Sequence, residues 1–376
     1  LKPAPRFHTE PWAHQKVGFL LGVNIPRFLF LYDMGIGKTK IVLDVLAYRR
    51  KEWKRALVLV PNNANIYSWA DDAKQHRPDI PLQMLTGTSA EKWWAWDRTF
   101  VTDANHPTIC VASYPGFLAM VCRKAEGKMV VDPDKLRVLT DQLQAVIFDE
   151  STELKNHQSL TFKTCRQLVA NCPIRYALAG FPHGRNPQDL WAQFNVIDNG
   201  ETLGQTLGIF RGAFFSQSKN YWGGYEYKLL EDRKDQLHKT IKHRSLRYVA
   251  DECIDLPERV HITKEIVMPE GAVPHYLKMV DLVMAAKKNR AEIKNVFVRM
   301  RQCCSGFLGM NDETGAKIEM ALPENPKLDL LMDLIEEMPE GAKGVVFHDF
   351  IWSGAAIEHG LAERKIVCGR LWSGTK

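Results

Sequence analysis

The sequence has little net charge, no paired cysteines, no long apolar run and no repeat, and each absence closes off a class of protein. Lys and Arg number 50 against 44 Asp and Glu, a net charge of only +6 over 376 residues. Composition alone therefore does not announce a nucleic-acid binder, although a near-neutral enzyme with one basic groove would show the same balance. The eight cysteines, at 110, 122, 165, 172, 253, 303, 304 and 368, form no Cys-x-x-Cys pair. That argues against a zinc ribbon and suggests no disulfide framework. They read as buried thiols in a reducing, cytoplasmic compartment. No apolar run approaches the ~20 residues of a membrane span; the longest candidate, 17–25, is short and contains Gly and Asn. The first ten residues carry Lys, Arg, His and Glu and lack the apolar core of a signal peptide. What is left is ordinary globular composition, 45% hydrophobic and 25% charged, in a chain long enough for two domains. A start at Leu1 rather than Met, and an abrupt end at Lys376, read as a fragment.

Between 28 and 179, short β-rich runs alternate with amphipathic helices. "RFLFLY", "ALVLVP", "TICVAS", "QAVIFDE" and "RYALAG" each end in Gly, Pro or polar residues. After the first comes a helical stretch with Ile41, Val42, Val45 and Leu46 on one face and Lys40, Asp44 and Arg49 outside it. Strands interleaved with helices predict an α/β fold with a doubly wound parallel sheet, whose ligands bind at the carboxyl ends of the strands. From about 200 to 320 aromatic and glycine clusters give way to charged helical stretches, and strand-like runs return at 342–350 and 364–369.

One glycine is also missing. "YDMGIGKT" (32–39) reads as strand, turn and helix, but Tyr32 stands where the usual phosphate-loop pattern has its first Gly. Such a loop turns backbone N–H groups toward phosphate oxygens at a helix N-terminus. Gly35 and Gly37 shape the approach, Lys38 supplies the charge that neutralises phosphate, and Thr39 supplies a hydroxyl for Mg²⁺. A plain glycine-rich βα turn would account for Gly-Lys-Thr alone. The second signal, Asp149-Glu150 at the end of the apolar run "QAVIF", is weak by itself because strands often stop at acidic residues. Together in one sheet the two signals describe a P-loop ATPase, one carboxylate holding Mg²⁺ through water and its neighbour polarising the attacking water.

The ordered set "LVLVPNNANIYSW", "DMGIGKT", "VIFDESTELKN" and "ALAGFPHGRNPQDLW" resembles motifs Ia, I, II and III of the SWI/SNF-type branch of helicase superfamily 2, in which a non-glycine at the position of Tyr32 is expected. "PWAHQKVGFLL" resembles its adenine-recognising Gln motif, "VASYPGF" its Ib region, "VRMRQCC" a helix between its lobes, and the stretch 325–350 the approach to motif IV. The resemblance implies two RecA-like lobes with helical insertions: lobe 1 over 1–198, a helical protrusion and linker over 199–322, and an incomplete second lobe over 323–376. It implies ATP and Mg²⁺ as cofactors, with Lys38, Gly35 and Gly37 on the phosphates, Thr39 and Asp149 on magnesium, Glu150 as base and Gln15 at the adenine edge. Pro61, Asn62, Ser113 and Tyr114 fall where this branch touches the phosphodiester backbone, although each would also serve as an ordinary strand-end cap.

Motif III departs from the family pattern. Leu178-Ala179-Gly180-Phe181-Pro182 lacks the threonine hydroxyls thought to couple the ATP site to the nucleic acid, leaving Gly180 and Pro182 as the coupling positions. Motifs V and VI would lie beyond 376, so the chain as written is expected to bind nucleotide and hydrolyse it poorly. The implied partner is double-stranded DNA, held mainly through phosphates, with RNA as the alternative; a true helicase and a nucleotide-dependent binding scaffold remain competing functions. The basic run 233–247 suits DNA phosphates or a solvated helix face, and the tryptophans of "EKWWAWDR" (91–98) suit packing or base stacking. With no appended chromatin-reading domain, the chain reads as bacterial or viral, not nuclear and not secreted.

Overall fold

The computed structural model describes residues 5–101, 107–181, 186–219, 223–255, 257–258, 260–285, 290–311 and 317–371. The chain divides into two compact units, 1–257 and 258–376.

The strands of the first unit are β1 (Arg27–Tyr32), β2 (Arg55–Val60), β3 (Leu82–Met84), β4 (Thr108–Ser113), β5 (Cys122–Ala125), β6 (Lys128–Val131), β7 (Ala145–Phe148), β8 (Ile174–Ala179), β9 (Phe215–Lys219), β10 (Tyr225–Leu229) and β11 (Ser245–Tyr248). Seven of them form one parallel sheet in the order β11-β1-β8-β7-β2-β4-β3, while β5–β6 and β9–β10 are separate antiparallel hairpins. Its helices are α1 (Ala13–Asn24), α2 (Lys38–Tyr48), α3 (Asn63–His76), α4 (Ser89–Val101), α5 (Tyr114–Val121), α6 (Pro133–Gln142), α7 (Leu160–Leu168), α8 (Asp189–Asp198), α9 (Leu207–Phe214), α10 (Lys234–Lys242) and α11 (Ala250–Cys253).

Side chains alternate across the sheet with the period of two that strand geometry requires. Phe28, Phe30 and Tyr32 of β1, Val58 and Val60 of β2, and Ile147 of β7 pack with Phe19, Ile41, Val45 and Trp69 of α1–α3 on one face. Leu29, Leu31, Leu57, Leu59, Val146 and Phe148 pack with Trp96, Phe117, Phe162 and Phe194 of α4, α5, α7 and α8 on the other. Both faces are covered, so the strands are continuous apolar runs and the sheet is doubly wound.

The boundary expected at 198–199 falls inside this unit. After the β9–β10 hairpin and α10 the chain returns, and β11 adds a parallel edge strand beside β1. Lys40 and Asp44 do lie off the apolar stripe of α2, yet they are buried. Lys40 Nζ is 2.6 Å from Asp44 Oδ2, Arg77 lies 3.6 Å from the other oxygen, and Phe7 covers Lys40. Five of the eight thiols are buried, but Cys253 is half-buried and Cys304 and Cys368 are exposed. No helix among the described residues is long and apolar enough to cross a membrane.

The second unit contains α12 (Val273–Ala285), α13 (Arg290–Cys303), the antiparallel pair β12 (Phe307–Asn311) and β13 (Lys317–Ala321), α14 (Pro326–Glu336) and α15 (Ile351–Glu363). Its buried apolar side chains are few among the described residues: Ala272, Cys303, Leu308 and Leu322 cluster with Met268 and Tyr276 against them, and Val296, Phe307, Met332 and Leu361 are buried besides. The strand-like runs 342–350 and 364–369 join no ladder among the described residues, and Val345, Phe347 and Val367 are exposed. β-Propensity alone does not make a strand without a partner to take its hydrogen bonds.

Candidate nucleotide site

The carboxyl edge of the sheet brings the sequence-predicted residues together. The loop after β1 places Gly35 and Gly37 at φ 82° and 81°, a left-handed backbone natural to glycine. Gly37 is the N-cap of α2, and a Cβ there would meet Gln15 Nε2. The loop is braced from two sides. From α1, Gln15 Nε2 donates to Ile36 O (3.2 Å) and His14 Nε2 lies 2.8 Å from the same carbonyl. From the segment after β11, Ala250 N donates to Asp33 Oδ2 (3.1 Å), and Asp33 N donates to Tyr248 O (3.1 Å).

Lys38 is folded onto its own loop, its ammonium donating to Tyr32 O at 2.8 Å and Asp33 O at 3.3 Å. Glu150 Oε1 lies 4.0 Å away. Burial pushes the lysine pKa below its ordinary value, opposed by the charges of Glu150, Asp149 and Asp33.

Asp149 and Glu150 follow β7, next to β8 and one strand further from β1. Asp149 Oδ2 accepts the indole N–H of Trp69 (2.8 Å), and Oδ1 accepts from Glu150 N (3.0 Å). Glu150 has φ 45°, uncommon for a residue with a Cβ. Gly180, the residue after β8, presents its main-chain N–H on the side that favours the charged carboxylate. Burial raises both acids, most simply because neither charged form is fully solvated; Trp69 and Lys38 oppose the rise at Asp149, and Lys38 opposes it at Glu150.

Thr39 and Asp149 offer a hydroxyl and a carboxylate, hard oxygen donors. Among the described residues no group of three or more His, Cys, Asp or Glu side chains could hold a metal ion alone. A small donor set of this kind fits Mg²⁺, which keeps several waters and shares substrate phosphates. On α3, burial raises the Asp72 pKa, opposed by the neighbouring Thr39 hydroxyl and by His76.

Other expected residues are placed differently from their sequence reading. Gln15 is buried and its amide oxygen accepts from Trp12 N (3.0 Å), so in this structure it supports the phosphate loop. Asn62 is exposed and caps α3, its Oδ1 accepting from Asn65 N (3.2 Å). Ser113 is buried, donates to Asn63 Oδ1 (2.9 Å) and caps α5 by accepting from Gly116 N. Tyr114 is buried too, with its hydroxyl on Asp149 O (3.0 Å). The register Val60↔Ser113 nevertheless sets Pro61–Asn62 and Ser113–Tyr114 side by side along one edge. Ala179 is buried and Phe181 exposed, while Pro182 lies outside the described residues. In the tryptophan cluster Trp96 is core, donating to Gln142 Oε1 (2.8 Å), and Trp94 is exposed under Arg98.

Sequence reasoning missed Trp69, Asp72 and His14. The first two sit in or just after the quoted "NANIYSW" stretch, three residues apart, and that helical spacing was the available signal.

Sheet order, loop and acidic pair together define a P-loop α/β protein with a RecA-like lobe. Residues 24–307 match the SNF2-related domain, and the chain belongs to that family. Protein p41 of Acyrthosiphon pisum secondary endosymbiont phage 1 is 24% identical over 325 residues, covering 81% of this chain and 65% of the phage protein. The chromatin-remodeling ATPase INO80 of Pyricularia oryzae is 25% identical over 304 residues, 77% of this chain but 14% of its own length. Thus the chain spans less than two thirds of either relative. The SWI2/SNF2 ATPase core of Sulfolobus solfataricus, solved in complex with dsDNA, superposes with a TM-score of 0.52 at 20% identity, covering 97% of this chain and 72% of that one. That likeness supports the fold.

Proposed function

We propose that this chain is the ATP-binding part of a motor that translocates along or remodels double-stranded DNA, and that Mg²⁺ is its metal. The observation that carries the reading is the convergence of Lys38, Asp149, Glu150 and the Gly180 N–H at one sheet edge. ATP would draw Lys38 off the Tyr32 and Asp33 carbonyls onto phosphate oxygens, and the N–H groups at the start of α2 would face the same oxygens. Thr39 and Asp149 would hold Mg²⁺, which neutralises the phosphate charge. Glu150 would take the proton of the attacking water.

DNA would run along the edge carrying Pro61–Asn62 and Ser113–Tyr114. Because the Ser113 and Tyr114 side chains are spent internally, contacts there would be made by the main chain, whereas Asn62 offers its side chain. Recognition through phosphates is sequence-independent and weakens as salt rises. The Sulfolobus relative's complex with dsDNA and the phage origin of p41 support a DNA motor in a bacterial or viral setting.

The test is ATP turnover of the full-length protein with and without double-stranded DNA, beside triplex-displacement and strand-displacement assays. The motor reading expects stimulation by duplex, triplex displacement, loss of turnover in Lys38→Ala and trapped ATP in Glu150→Gln. Turnover that ignores DNA, or none, would favour a nucleotide-dependent scaffold. Unwinding without triplex displacement would point to a true helicase.

A further inference from the structure

Helices α3 and α5 pack on opposite faces of the sheet, and each sends one buried side chain to Asp149. From α3, Trp69 donates its indole N–H to Asp149 Oδ2 at 2.8 Å; from α5, Tyr114 donates its hydroxyl to the main-chain Asp149 O at 3.0 Å. The other carboxylate oxygen, Oδ1, accepts from Glu150 N at 3.0 Å. The peptide between Asp149 and Glu150 is thus held at both ends, its carbonyl by Tyr114 and its N–H by a carboxylate that Trp69 keeps in place. On the far side, Glu150 O accepts from Glu153 N (2.9 Å) in the 3₁₀ turn Ser151–Leu154, and the buried Ser151 donates to Gln193 Oε1 (2.7 Å). Between these two holds Glu150 has φ 45° and ψ 57°, a left-handed backbone. That conformation is disfavoured about fivefold or more for a residue with a Cβ, and it persists only where the surroundings enforce it. With the peptide fixed, the direction in which the Glu150 Cβ leaves the main chain is fixed as well.

We propose that Tyr114 and Trp69 are positioning residues for the base. They clamp the Asp149–Glu150 peptide from the two faces of the sheet and so hold Glu150 in the backbone conformation from which its carboxylate meets the attacking water. The inference rests on the ATP reading above and adds to it two side chains that act through Asp149.

Two measurements on the full-length protein test it. In chemical denaturation Glu150→Gly should be more stable than Glu150→Ala, because only glycine takes this backbone without strain. Adding Tyr114→Phe to each, which deletes one hydroxyl and keeps the ring, should cut that advantage about fivefold in the folding equilibrium, since residue 150 can then relax. The extra freedom of glycine in the unfolded chain is the same in both backgrounds and cancels. In ATP turnover, Tyr114→Phe alone should lower kcat about 10–100-fold, with KM and the affinity for a non-hydrolysable ATP analogue at their wild-type values. A general loosening of the site would weaken binding too. If Tyr114→Phe does not fold, Trp69→Phe, which removes the N–H and keeps an aromatic ring, should show the same two effects. A glycine advantage that the substitution leaves unchanged, or wild-type kcat in the folded variant, would overturn the proposal and leave the ATP reading standing. A wild-type protein that binds no analogue at all overturns both.

Discussion

At the scale of one residue, motif III offers main chain where side-chain hydroxyls are missing. Neither Ala179 nor Phe181 has a hydroxyl, and the Gly180 N–H is among the groups that favour the charged form of Glu150. A Cβ at Gly180 would meet only Tyr32 O, at 3.9 Å. In the full-length protein Gly180→Ala should therefore leave turnover near wild type, because the N–H is kept and there is room for the methyl. Gly180→Pro removes the donor. A hydrogen bond to a charged group contributes about 1.5–3 kcal/mol, so turnover should fall about 10–100-fold at similar nucleotide affinity. Steady-state kinetics beside an equilibrium binding assay separates the two effects; equal turnover in both variants would discard the link. Lys38, Thr39, Asp149 and Glu150 were legible from sequence because strand, turn and helix signals are local. Trp69, Asp72 and the inward turn of Tyr114 were not, since which way a helix face or a strand-end residue points is decided by tertiary packing.

Elements in this fold are joined by buried cations that a linear pattern shows only as charges. Arg175 sits near the start of β8, fully buried, and its guanidinium donates to Cys172 O (2.7 Å), Asn199 Oδ1 (2.8 Å), Ala170 O (3.2 Å) and Ile197 O (3.3 Å). It thereby ties together the chain ends that follow α7 and α8, where unpaired carbonyls attract a cation. Burial lowers its pKa to about 10, still far above neutral, so the charge stays. Arg175→Met keeps apolar bulk but strands those acceptors, and should cost about 3 kcal/mol in chemical denaturation; a loss within experimental error would show the carbonyls finding other donors.

The N-terminal segment adds a second element-scale case. Thr9 Oγ1 lies 2.7 Å from His76 Nδ1, and Arg77 donates to Arg6 O (3.0 Å). Burial, then Lys40, lowers the His76 pKa, with Asp72 and Asp44 opposing and His8 adding to the fall. A histidine depressed from its ordinary 6.5 is neutral when folded and charged when unfolded, so its stabilisation is whole above 6.5 and lost as pH falls through that value toward the folded one. His76→Gln should flatten the stability slope in that window, measured by thermal unfolding at stepped pH.

At the scale of the molecule the two units differ in how much they bury. The first covers a seven-stranded sheet on both faces and holds every residue proposed to meet ATP. The second, among its described residues, buries few apolar side chains, with one cluster of Ala272, Cys303, Leu308 and Leu322, and leaves Val345, Phe347, Val367 and Leu371 exposed. The return of β11 to the sheet, which moves the division to 257, could not be read from local pattern because its partner β1 is far away in sequence. Regions with few buried apolar contacts open first, so limited proteolysis should cut within 258–371 and leave a resistant fragment ending near Pro257. An ATP analogue at about a hundred times its dissociation constant adds about 2.7 kcal/mol to the state that binds it. That gain belongs to the first unit, so the analogue should raise its melting transition, leave the second unit's in place, and protect the large fragment without protecting the small one. Cleavage first inside 1–257, or a large fragment that no longer binds the analogue, would show that the first unit does not hold the nucleotide site on its own.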